Sequence, residues 1–166
     1  MIRLRGQFRK RSALAGFTLA EVLIAVVVVA TALGGLYASV QQAGRVVHTG
    51  KEIAQASEML QQRIEALRYA PPWSNITTAT GIASVAAAAT GISAYFSNVT
   101  EIFTVSDYPS GSSLTVTRSP AGTFSNNGVD LSSSRCVKVT VAATWTGIGN
   151  VQRSRQLSTI ITKGGL

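Results

Sequence analysis

The sequence is poor in the residues on which most site chemistry depends. It has one cysteine, Cys136, and one histidine, His48, in 166 residues. A single cysteine excludes an intrachain disulfide in any compartment. Together the two leave too few ligands for a metal centre built on thiolates and imidazoles. No HExxH, GxxxxGK[ST], GxSxG or paired-cysteine pattern occurs, so nothing points to an enzyme or to a bound cofactor. Charge is scarce as well: 13% of residues are charged and 46% hydrophobic, which excludes a disordered polyelectrolyte. The length suffices for one compact domain plus an extended segment, not for two full domains.

What charge there is lies unevenly. The net charge is +8, and residues 1–16 hold Arg3, Arg5, Arg9, Lys10 and Arg11 with no acid. A short basic segment ahead of an apolar run is a positive-inside signal that keeps that end in the cytoplasm. The apolar run follows at once, FTLAEVLIAVVVVATALGGLYASV from Phe17 to Val40, with Glu21 as its one charge. From Val22 to Gly44 no residue is charged, and about 20 such residues span a hydrocarbon core as a helix. Gly34-Gly35 is the expected weak point of that helix.

Past residue 40 the pattern becomes amphipathic. Ile53, Ala56, Leu60, Ile64 and Leu67 recur at spacings of three or four, with Met59 widening the stripe. Glu65 and Arg68 form an i,i+3 pair. Pro71-Pro72 predicts the helix end near Tyr69. The expected organisation is a leader (1–16), a membrane or packing helix (17–40), its amphipathic continuation (41–70), an Ala/Thr/Ser-rich loop (71–100) with one short helix at Ser84–Ala89, and a sheet (101–166).

Four stretches have strand character. Ile102–Ser106 and Leu114–Arg118 are bounded by Asp107-Tyr108-Pro109-Ser110-Gly111 and Ser119-Pro120. In the third, Val137, Val139, Val141, Ala143 and Trp145 alternate with Cys136, Lys138, Thr140, Ala142 and Thr144. A turn at Gly147-Ile148-Gly149-Asn150 returns the chain through Val151–Thr162 as an antiparallel hairpin. One apolar face of this small sheet can bury the helix stripe, so the expected fold class is α+β: a long N-terminal helix against an antiparallel sheet.

The most informative residues are Gly16-Phe17-Thr18-Leu19-Ala20-Glu21, between the basic leader and the apolar run. A carboxylate inside a membrane helix costs about 2.5–3.5 kcal/mol on insertion scales, so Glu21 needs a partner. No basic side chain lies within a helical turn of it. Cleavage between Gly16 and Phe17 creates an α-amino group one turn before Glu21, on the same or an adjacent chain.

This junction resembles the class III signal of type IV prepilins and of the related pseudopilins of type II secretion. The basic leader, Gly16, Phe17, Thr18-Leu19, Glu21 as fifth mature residue and the Val/Ile/Leu/Ala run all agree in type and spacing. Ala20 stands where Ile or Leu is common. The resemblance covers about the first third of the chain. It implies cleavage after Gly16 by the prepilin peptidase, N-methylation of Phe17, and packing of mature helices into a filament core. It also implies that Glu21 pairs with a neighbouring subunit's N-terminal amine. The implied partners are the peptidase, the assembly platform, the inner membrane and other pilin subunits, with the N-terminus cytoplasmic and the head periplasmic. Ala56–Arg68, Val137–Trp145 and Arg155–Thr162 look similar to minor pilins of the V type and pseudopilins of the I type.

Other readings have their own residues. Ala30-Thr31-Ala32 is a passable secretory cleavage site, although a charge near the start of the apolar core opposes it. A plain membrane anchor leaves the Gly-Phe-x-x-x-Glu junction unexplained. Arg118, Arg135, Lys138, Arg153 and Arg155, with Lys163, face one acid, Asp130, from Ser110 onward. These are candidate anion contacts for an adhesive or DNA-binding filament tip, though aromatic interleaving is sparse. His48 reads as a solvated helix residue, Cys136 as a structural thiol, and Trp73 and Trp145 as packing residues.

Overall fold

The structure, a computed structural model, describes residues 17–88 and 96–164. The chain divides into two compact units, Met1–Ala43 and Gly44–Leu166. The leader, Gly16 included, lies outside the described residues.

In the first unit the described chain is helix from Leu19 onward. Helix α1 (Leu19–Arg68) is 50 residues long and contributes its first half here. Among the described residues its apolar run is long and apolar enough to cross a membrane, and none of that window is buried. The two glycines do not interrupt it: α1 passes unbroken through Gly34-Gly35, and the Ser39 hydroxyl donates to the Gly35 carbonyl at 2.9 Å. The loss of order that two glycines bring is a cost in free energy, and here it leaves the hydrogen-bond ladder intact.

The second unit contains the end of α1, two short helices and one sheet. Helix α1 stops at Arg68, just before Pro71-Pro72, because neither proline offers an N–H to extend the ladder. Helices α2 (Ser74–Thr77) and α3 (Ala79–Ala88) follow, where composition suggested a loop with one short helix from Ser84 to Ala89. The alanines favour helix, and buried Ile76, Ile82 and Ala86 attach both helices to the core. At Gly81 a side chain would overlap the Asn75 backbone, so only glycine allows α2 and α3 to approach this closely.

The sheet comprises β1 (Ser97–Asp107), β2 (Ser113–Arg118), β3 (Phe124–Asn126), β4 (Cys136–Gly147) and β5 (Val151–Thr162). Their spatial order is β3-β2-β1-β4-β5, and every pairing is antiparallel. Strand β3 adds a fifth strand to the four read from the sequence; three residues are too short to show alternation. A register shift between Ser97 and Thr100 marks the start of β1 against β4, beside Asn98 at φ 53°. Asparagine tolerates that left-handed conformation better than most residues.

The core lies between one sheet face and the end of α1. Val137, Val139, Val141, Ala143 and Trp145 are all buried, as their period of two requires when one face is covered. Phe103, Val105, Leu114 and Val116 continue this face on β1 and β2, and Ala56, Leu60, Ile64 and Leu67 press onto it from α1. Each valine, leucine, isoleucine or phenylalanine among them contributes on the order of 1.5–3 kcal/mol by leaving water. Glu52 fastens the hairpin tip to α1, accepting the Ile148 N–H at 3.2 Å and pairing with Arg153 at 3.4 Å.

Candidate functional site

Helix α1 begins where its sequence provides a cap. Thr18 precedes the first helical residue, Leu19, and Glu21 sits three places after Thr18. The Glu21 N–H donates to Thr18 Oγ1 at 3.3 Å. In return, the Thr18 N–H and hydroxyl both donate to Glu21 Oε2 at 3.3 Å. This is a reciprocal capping box, which satisfies donors that a helix start leaves open. A carboxylate in the first turn also meets the positive end of the helix dipole.

The cap holds Glu21 in a defined place without consuming it. Its bonds are long, the side chain is exposed, and Oε1 accepts no hydrogen bond among the described residues. No ion pair engages Glu21 there either. Phe17 stands beside it with 85% of its surface exposed, and Val22, Val26, Val29 and Leu33 continue as exposed apolar surface. An acceptor oxygen, the exposed Phe17 and an apolar helix face therefore lie next to one another. The T-x-x-E spacing is a signal of this cap that the charge argument from sequence passed over. Thr18→Ala is expected to weaken the first turn by about 1 kcal/mol. Faster amide hydrogen exchange at Glu21 and Val22 in micelles is the measure, and unchanged exchange rules the cap out.

The candidate anion contacts are not gathered in one place by their side chains. Arg118 Nη1 lies 3.5 Å from Glu101 Oε2, and its guanidinium sits 5.8 Å from the Phe124 ring centre. Arg153 is held by Glu52. Arg135, Lys138 and Arg155 are exposed. Arg135 precedes β4, Lys138 lies on β4 and Arg155 on β5.

The charges that do converge belong to a cluster with no counterpart in the sequence reading. Arg63 of α1 donates through Nε and Nη2 to Glu101 Oε1 at 3.2 and 3.0 Å. Both side chains are almost wholly buried, and Arg118 approaches the second Glu101 oxygen from β2. Strand parity carried the clue, since Glu101 shares the inward face with Phe103 and Val105.

His48 is exposed, Cys136 is a free thiol of intermediate exposure, and no cluster able to hold a metal occurs among the described residues. Trp145 is buried against Phe96, with ring centres 5.2 Å apart, and Trp73 donates its indole N–H to the Ser134 carbonyl at 3.0 Å.

Residues 11–37 match the prokaryotic N-terminal methylation motif. With the apolar helix and the α+β arrangement, this motif supports a type IV prepilin-like family for the chain. No curated protein and no solved structure matches it. The motif supports a pilin-like precursor that is processed and methylated. Such a signal with a long apolar N-terminal helix fits anchoring in the inner membrane.

Proposed function

We propose that the protein is a minor pilin or pseudopilin subunit, assembled into a type IV pilus or a type II secretion pseudopilus. The observation that carries this is the exposed, half-engaged Glu21 carboxylate beside Phe17, at the head of an exposed apolar helix. The chain's own chemistry is that of a substrate. Hydrolysis of the Gly16–Phe17 peptide bond by the prepilin peptidase leaves a carboxylate on Gly16 and an amine on Phe17. Transfer of a methyl group from an activated donor, with loss of a proton, then gives a secondary amine that is cationic at neutral pH.

That cation is the partner Glu21 requires in an apolar surround, and an adjacent subunit supplies it when helices pack side by side. Pairing removes an isolated charge from hydrocarbon and sets the axial register between neighbours. Val22–Val40 supplies the packing surface and the sheet-bearing unit the contacts outside the membrane. With one cysteine the chain cannot cross-link a C-terminal loop on itself, which suits a minor subunit.

Mass spectrometry of the membrane-extracted protein is the direct test. The expected N-terminus is Phe17 carrying one methyl group. Retention of Met1, or a start at Leu33 after a secretory cleavage, overturns the reading.

A further inference from the structure

The two edges of the sheet differ. One is β3, three residues long, followed closely by Gly128 at φ 74° and preceded by Gly122 at φ 82°. A short edge flanked by irregular turns offers little to a passing chain. The other is β5, twelve residues long, with β4 as its one strand neighbour among the described residues. Its register against β4 runs from Gly147↔Val151 to Cys136↔Thr162 without a shift, and it contains no proline or glycine. Neither proline, glycine nor a bulge interrupts its ladder, and its charged residues are the two arginines Arg153 and Arg155.

The direction of the open groups follows from the ladder. The Lys163 N–H donates to the Arg135 carbonyl at 2.8 Å, continuing the register of β4 and β5. In an antiparallel pair the bonding residues alternate, so odd-numbered residues of β5 face β4. Gln152, Ser154, Gln156, Ser158 and Ile160 turn their N–H and C=O groups to the open side. Beside this row Val151 and Ile160 remain 54% and 48% exposed. Ile160 shares its sheet face with exposed Lys138, its register partner on β4.

Charge selects the occupant. Strands β4 and β5 together carry Lys138, Arg153 and Arg155 and no acid. Glu52 pairs with Arg153, while Arg155 is exposed and makes no ion pair among the described residues. A second copy of this chain would bring the same arginines to the same edge, and like charges on facing strands oppose pairing.

We propose that the open edge of β5 takes up an extended, carboxylate-bearing segment of another protein by strand addition. Backbone bonds to the even-numbered residues give affinity, a carboxylate meets Arg155, and a bulky apolar side chain packs beside exposed Ile160. Arg155 and Ile160 have opposite parity, so the partner presents its acid and its apolar residue on opposite faces about five residues apart. This docking surface does not depend on the filament reading.

The test uses the full chain in detergent and a fluorescent extended peptide, alternating threonine and valine with glutamates interspersed. Its counterpart carries lysines instead. The glutamate peptide is expected to bind and the lysine peptide not to. Gln156→Pro removes one outward N–H and no bond to β4, a place where an edge strand tolerates proline. It should weaken binding about tenfold, the scale of one or two lost backbone hydrogen bonds. Arg155→Glu is expected to reverse the preference, which decides the matter even if the proline variant fails to fold. The leader's arginines are common to all variants, so only differences among variants count. Equal binding of both peptides, no binding of either, or an unreversed preference overturns the proposal. So does self-association of the chain that Gln156→Pro abolishes, since the occupant is then a second copy.

Discussion

Arg63→Met, with Glu101 left in place, is expected to cost about 3–5 kcal/mol of folding stability, because it strands a carboxylate in the core. Glu101 is buried between α1 and the sheet, and Arg63 reaches it with two donors. Arg118 does not make up the loss, since it meets the other oxygen at 3.5 Å. Removing both charges together, as Arg63→Met with Glu101→Met, should recover most of the stability, since apolar residues of similar volume replace buried ion pairs with little penalty. Arg118→Ala should cost less than Arg63→Met, because its side chain is partly exposed and water can replace it. Urea unfolding of the full chain in micelles, followed by the fluorescence of Trp73 and Trp145, measures all three. A cost for Arg63→Met no larger than that of a surface pair, about 0–1 kcal/mol, contradicts the buried-charge account.

Glu21→Ala should leave cleavage and methylation intact and reduce incorporation into filaments about tenfold or more, the factor that a loss of 1.4 kcal/mol or greater produces. Two further variants separate the cap from the charge. Glu21→Gln keeps an acceptor for the capping box and removes the negative charge, so it should fail in assembly as the alanine variant does. Thr18→Ala removes the cap and keeps the charge, so it should assemble far better than either. Filaments sheared from cells and quantified by immunoblot against the membrane pool supply the measurement. Normal incorporation of Glu21→Gln would falsify the pairing role, whatever the alanine variant does.

Much of the fold was legible because its signals are local. Pro71-Pro72 marks the end of α1, since the missing donors act within one turn. The alternation from Val137 to Trp145 specifies both a strand and its buried face, and Gly147–Asn150 specifies the hairpin. Less could be read where the signal is compositional or distant. The Ala/Thr/Gly-rich segment after Trp73 holds α2 and α3, whose stability rests on Ile76, Ile82 and the close approach at Gly81. Strand β3 exists through its pairing with β2, from Val116↔Asn126 to Arg118↔Phe124, and nothing in three residues announces that.

At the junction, residue types and spacing alone singled out Gly16, Phe17 and Glu21 as a unit. A carboxylate in an otherwise uncharged helix is conspicuous wherever the rest of the chain goes. The reciprocal bonds with Thr18 follow the same local logic. The basic residues after Ser110 followed another rule. Their number is a property of composition, but Arg118 and Arg153 take their partners from β1 and α1, elements remote in sequence.

The linear chain therefore determined the processing signal, the apolar helix, the end of α1 and the inward face of β4, all set by bonds and periodicities within a few residues. Tertiary structure decided which charges became buried partners and which strand became the long open edge. Those outcomes depend on the order β3-β2-β1-β4-β5, and that order is chosen by the packing of distant segments against one another, which no local pattern encodes.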